Sequence, residues 1–331
     1  MSARTPDPKE IEELLLGGEL RYTRMDAVRL AGVTPDFSQR LWRAFGYPHM
    51  PDDAVAFTEG DIAALCRVRR LIEDDVLDED GVMRMVRAVG QTMSRLAEWQ
   101  VDLLTARLVS EVAETPSSEA VELILEIAEK HIADFEPLIV HAWRRQLAAA
   151  GTRAVAAGQD DESAPARTYA AVGFADMVAF TQMSRELDEL DLARVVERFE
   201  ETASDVVAAN GGRLVKTLGD EVLFSADSPQ LGAELALCIS EAIKEQAEVP
   251  DVRVGVAYGS VVPLMGDLFG TTVNLAARLT SIARPGSIVV DAGLAGELEQ
   301  SERYEITRIV RRPARGLGII QPYVLRRKAR D

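Results

Sequence analysis

The chain runs to 331 residues, 47% of them hydrophobic and 27% charged, enough to bury the cores of two domains and too apolar for a disordered polymer. Its 37 lysines and arginines face 54 acidic residues, a net charge of −17, so the chain as a whole repels a phosphate backbone and bulk nucleic-acid binding is not expected. Two cysteines, Cys66 and Cys238, exclude a disulfide framework, and neither a secretory leader nor a transmembrane run is visible, so a cytoplasmic protein is expected.

Taken in chain order, apolar residues at three- and four-residue spacing predict helices over residues 11–16, 24–31, 37–45, 59–72, 80–109 and 118–149. Thr58 with Asp61 three residues on, and Ser117 or Ser118 ahead of the last run, are N-cap signals. The expected first domain, residues 1–150, is therefore helical. All three histidines, His49, His131 and His141, fall in it. Imidazole changes charge near neutral pH, so His131 or His141 could bias a regulatory switch. Met83, Met85 and Met93 are read as core rather than as an effector site.

A small, polar, Gly- and Pro-punctuated stretch follows, and residues 151–168 are expected to be a linker whose Ala-rich start could also extend the preceding helix. From residue 169 onward strands and helices alternate: an apolar run TYAAVGFADM, an amphipathic helix over residues 184–210, strand-like GGRLVKTLG and DEVLFSA, a helix over residues 229–247, and the strand VRVGVAYGSVVPL. Gly219-Asp220 lies between two strands and reads as a hairpin turn with a carboxylate at its tip.

Two of these stretches, FADMVAFT around Asp176 and KTLGD ending at Asp220, match the motifs FxD(I/M)xxFT and K(T/I)xGD, and the chain therefore resembles the class III adenylyl and guanylyl cyclase family over roughly residues 169–328. The resemblance implies a ferredoxin-like catalytic domain, residues 169–331, that converts ATP into cyclic AMP and pyrophosphate. It implies that Asp176 and Asp220, with Met177 beside them, hold two Mg2+ or Mn2+ ions, with Phe180 and Thr181 completing the first motif at the substrate. Lys216 and Asp267 fall where adenine is recognised, and their chemistry agrees: a lysine donates to adenine N1 and a carboxylate accepts from the N6 amine. By the same resemblance Asn274 orients the ribose, Arg278 stabilises charge on the α-phosphate, and Arg315 grips the terminal phosphates. Because every role falls in one catalytic domain, the resemblance implies a homodimer with two shared sites.

The first domain looks in part like the winged-helix unit of MerR-type regulators, with Arg21, Arg24, Arg29, Arg40 and Arg43 available either to DNA or to protein packing. As a whole it resembles the helical regulatory domain of actinobacterial pH-responsive adenylyl cyclases, which implies control by protons or a small effector. The expected fold is thus α+β or α/β overall, an all-helical regulatory domain with a winged-helix-like unit ahead of the cyclase domain. Two other functions fit the same residues: a nucleotide-sensing, DNA-binding module, and a cyclase of other base preference.

Overall fold

A computed structural model describes residues 8–112, 120–158, 168–314 and 316–328. The chain divides into two units, Met1–Ala156 and Ala157–Asp331.

In the first unit α1 (Pro8–Leu16) is followed by β1 (Tyr22–Thr23), α2 (Arg24–Ala31), α3 (Pro35–Phe45), β2 (Val55–Phe57), α4 (Glu59–Glu73), α5 (Glu79–Val112) and α6 (Ala120–Gly158). Local chemistry sets these boundaries. Thr23 and Asp26 close a capping box on α2, Thr34 caps α3 ahead of Pro35, and Thr58 with Asp61 forms the box expected for α4. Gly32 and Gly46 end α2 and α3 in the left-handed region that glycine tolerates. Leu41, Trp42, Phe57, Leu65, Val82 and Val86 meet in one core. Arg21, Arg24, Arg29 and Arg40 each sit in an ion pair with a neighbouring carboxylate, so these four do not form an open basic patch.

Helix α6 continues to Gly158, through the first residues expected to be linker. The run LAAAGTRAVAAG carries the strong helix former alanine at half of its positions, which offsets its glycines. The Ser117 or Ser118 cap lies outside the described residues, as do residues 159–167 of the expected linker. His131 and His141 both lie on α6, where the His131 ring stacks on Phe135 with centroids 4.7 Å apart. Among the described residues no helix is long and apolar enough to cross a membrane.

The second unit contains β3 (Thr168–Met177), α7 (Phe180–Glu186), α8 (Glu189–Ala209), β4 (Arg213–Thr217), β5 (Glu221–Ala226), α9 (Pro229–Lys244), β6 (Val252–Leu264), β7 (Asp267–Phe269), α10 (Thr271–Ile282), β8 (Ile288–Val290), α11 (Ala292–Leu298), β9 (Tyr304–Arg308), β10 (Arg312–Ala314), β11 (Gly318–Ile320) and β12 (Tyr323–Arg327). The helix expected over residues 184–210 is two helices. Asp188 leaves helical geometry to accept the Asp191 N–H at 2.8 Å and caps α8, which separates it from α7. Helix α9 stops at Lys244 rather than at residue 247.

The main sheet runs in the order β4-β5-β3-β6-β8-β12-β9, with β7 folded back on β6. Its β6–β8 pair is parallel, and the other pairs along that order are antiparallel. The segment β3-α8-β4-β5-α9-β6, with β3 and β5 adjacent at its centre, is the split βαββαβ unit of ferredoxin-like folds. One face of the sheet packs through Phe199, Phe224, Leu235 and Ile239 against α8 and α9. The other packs through Val172, Phe174, Leu223, Ala276 and Leu279 against α10. Both faces of β3 are therefore covered, which is why its sequence reads as an unbroken apolar run. The period-two alternation then carries Asp176, two residues after Phe174, onto the α10 face.

Helix α10 lies close on β6 because Gly255 has no side chain: a Cβ there would stand 2.1 Å from the Thr280 backbone nitrogen. Gly255→Ala is expected to push α10 off the sheet and to lower stability by about 1–3 kcal/mol, the usual cost of overpacking. Urea unfolding of the variant beside the parent measures it.

Candidate active site

The site starts from strand register. Asp176, next to last in β3, lies opposite Glu221 of β5 and opposite Arg253 of β6, so the three form a row across three strands on the α10 face. Asp220 sits in the β4–β5 hairpin, whose turn is closed by the Leu218 N–H donating to the Glu221 carbonyl at 2.7 Å, with Gly219 at φ +76°. The Met177 N–H donates to the Asp220 carbonyl at 2.8 Å and ties that hairpin to the end of β3. The Met177 side chain itself turns into the α8/α9 core, so what it presents to Asp220 is its backbone N–H.

Electrostatics at this end of the sheet are unfavourable without a counter-charge. Arg253 donates through Nε to Asp176 Oδ2. Burial nevertheless pushes the Asp176 carboxyl above its ordinary range; the Asp220 charge adds to that, and the Arg253 contact only partly opposes it. Burial, followed by the charges of Asp176 and Asp220, pushes Glu221 up to about 7. Three carboxylates thus share one end of the sheet with a single bonded guanidinium, an arrangement that suits divalent cations. Among the described residues no three His, Cys, Asp or Glu side chains converge on a ready-made metal cage. Ions held by Asp176 and Asp220 would draw their remaining ligands from substrate oxygens and water.

The other expected residues fall into two further pairs. Lys216 on β4 lies opposite Leu223, on the α10 face, and its Nζ stands 2.5 Å from Asp267 Oδ2 although 51 positions separate them. Asp267 Oδ1 accepts the Leu268 N–H at 2.8 Å. Burial alone would raise the Asp267 carboxyl, but the bond from Lys216, the Leu268 N–H and the nearby Arg213 charge outweigh it and hold it below its ordinary value. Asn274 and Arg278 lie four apart on the exposed side of α10, with Ala276 and Leu279 buried behind them. Phe180 packs against the α8/α9 core and Thr181 is exposed at the start of α7. Arg315 lies outside the described residues.

Among the described residues no hydrogen bond or ion pair links Asn274 or Arg278 to the carboxylate row or to the Lys216–Asp267 pair. Two members of the site went unread in the sequence. Glu221 directly follows Asp220, and Arg253 opens a buried strand; each was a visible signal, but only strand register shows that both flank Asp176.

Residues 163–327 match the family model described as the adenylate and guanylate cyclase catalytic domain. An adenylate cyclase of Streptomyces coelicolor is 41% identical over 344 residues, covering 96% of this chain and 89% of its own. An adenylate cyclase of Streptomyces griseus is 40% identical, covering 98% of this chain and 91% of its own. A protein of Mycobacterium tuberculosis named as a pH-sensitive adenylate cyclase is 28% identical, covering 90% and 76%.

Proposed function

The chain belongs to the adenylate and guanylate cyclase family and is an adenylate cyclase, and on that footing we propose that it converts ATP into 3′,5′-cyclic AMP and pyrophosphate at two sites shared by a homodimer. The observation that carries this reading is the meeting of Asp176 and Asp220 at adjoining strand ends, tied by the Met177 N–H. In the reaction the ribose 3′-oxygen loses its proton and bonds to the α-phosphorus while the bond from that phosphorus to the pyrophosphate oxygen breaks.

Each residue then has a task. Asp176 and Asp220 hold two divalent ions, Mg2+ or Mn2+, which when bound offset the triphosphate charge and make the 3′-hydroxyl more acidic. Arg253, bonded to Asp176, keeps that carboxylate oriented between β5 and β6. Lys216 donates to adenine N1, and Asp267 both steers Lys216 and accepts from the N6 amine. Asn274 positions the ribose, Arg278 stabilises charge gathering on the α-phosphate, and Arg315 meets the terminal phosphates. Since Asn274 and Arg278 lie exposed and unbonded to the carboxylate row of their own chain, the reading assigns them to the site of a second copy.

The deciding experiment incubates the purified chain with ATP, GTP, CTP or UTP in magnesium or manganese. Cyclic AMP from ATP, absent with Asp220→Ala, supports the proposal; no cyclic product from any nucleotide overturns it. Base choice has its own check. Lys216→Ala is expected to lower kcat/KM for ATP by about 30- to 150-fold, the loss of one charge-assisted hydrogen bond of about 2–3 kcal/mol, and to leave the low rate with GTP unchanged.

In this reading residues 1–150 form the regulatory domain, residues 151–168 the linker, its start continuing α6 and its last residue opening β3, and residues 169–331 the catalytic domain, with His131 or His141 on α6 setting the response to pH. Replacing both histidines with asparagine is expected to flatten the pH dependence of activity, measured as a rate profile beside the parent. An unchanged profile removes them from the mechanism.

A further inference from the structure

A cleft of about 380 Å3 opens on the α9 side of the sheet, between the end of α9, the loop entering β8, and β12. It lies at the end of the sheet where β6 begins, on the face opposite α10. Leu237 and Ile288 give it an apolar floor, and Lys244, Arg284 and Arg327 bring their charges to it, while strand alternation turns the Arg326 side chain to the other face, opposite Glu305. Arg327 is fixed in place by Glu241 at 2.9 Å and Glu234 at 2.7 Å. Among the described residues Lys244 bonds only to the Gly286 carbonyl, at 3.5 Å, and Arg284 has no carboxylate within ion-pair distance. Lys244 and Arg284 are therefore the two cations of this cleft that no carboxylate bonds, on a chain whose net charge is −17.

We infer that this cleft binds a small phosphorylated anion with an apolar portion, at a site separate from the one that turns over nucleotide. The Arg284 guanidinium matches phosphate oxygens in a planar fork, Lys244 adds a point charge, and the Leu237–Ile288 floor takes the apolar part. Its volume falls in the small-molecule range. The same loop also reaches the catalytic carboxylates: the Gly286 N–H donates to the Val252 carbonyl at 2.9 Å, and the next residue, Arg253, holds Asp176. A ligand held by Arg284 thus sits on a loop bonded to the segment that orients Asp176.

The test uses the full chain carrying Asp220→Ala, so that its outcome does not depend on nucleotide turnover. Thermal unfolding is followed at fixed ionic strength against phenyl phosphate and against inorganic phosphate, because phosphate stabilises proteins nonspecifically. Phenyl phosphate is expected to raise Tm at lower concentration than inorganic phosphate. Arg284→Gln with Lys244→Gln should weaken that binding about 10-fold or more, and the single charge reversal Arg284→Glu should weaken it as well. Equal shifts in parent and variants, or no advantage of the phenyl ester over inorganic phosphate, would overturn the assignment.

Discussion

Asp220→Ala is expected to lose at least about 1,000-fold in cyclic AMP formation while staying folded, because removing a carboxylate that holds catalytic ions withdraws roughly 4 kcal/mol or more from the transition state. The same change should leave the metal-free protein no less stable than the parent. Asp176, Asp220 and Glu221 crowd one end of the sheet, the Asp220 charge raises both of its neighbours, and deleting it relieves repulsion that burial makes worse. In the parent, Mn2+ should raise Tm; in Asp220→Ala that rise should shrink or vanish. Asp176→Asn should behave alike in activity and additionally release Arg253 from its ion pair. Activity and calorimetry with and without metal check both halves. A variant that stays active, or one destabilised without metal, contradicts the carboxylate row as described.

Mixing two dead proteins should restore activity. If Asp220 serves one chain's half of a site and Arg278 the other chain's half, a dimer of Asp220→Ala with Arg278→Ala contains one site with both defects and one site with none. Equal mixing with free exchange places about half of the chains in such mixed dimers, each with one working site of two, so the mixture should reach about one quarter of parental activity. Each variant alone should stay near background, Arg278→Ala through the loss of a charge-assisted contact made mainly in the transition state. Activity measured across mixing ratios should peak at equal amounts. No recovery after verified subunit exchange would mean that each chain builds its own site.

Much of the cyclase sheet was legible because its signals are local. Strand β3 announced itself by an apolar run buried on both faces, the β4–β5 turn by Gly219-Asp220, and α8 by its amphipathic spacing. The break between α7 and α8 was hidden, because Asp188 sits in an acid-rich run where a capping carboxylate looks like one more solvated residue. The end of α6 was harder still, since alanine favours helix over residues whose glycines suggest a linker. At the site, the resemblance to the cyclase motifs singled out Asp176, Asp220, Lys216, Asp267, Asn274 and Arg278. It could not show Arg253 beside Asp176, because 77 positions separate them and only the β3–β6 register joins them. The direction of the Met177 side chain was available from alternation alone, since neighbours on a strand point to opposite faces.

On the proposed function, the row Glu221–Asp176–Arg253, with Asp220 beside it, would also set which form of the nucleotide enters. A bare ATP tetra-anion approaching that end of the sheet meets like charge concentrated in a partly desolvated recess, whereas the ion-complexed form arrives with much of its charge cancelled. In that reading the carboxylates act as an entry filter as well as a holder. Surplus uncomplexed ATP should compete poorly for the site, and the turnover rate should follow the concentration of the complex rather than that of total nucleotide.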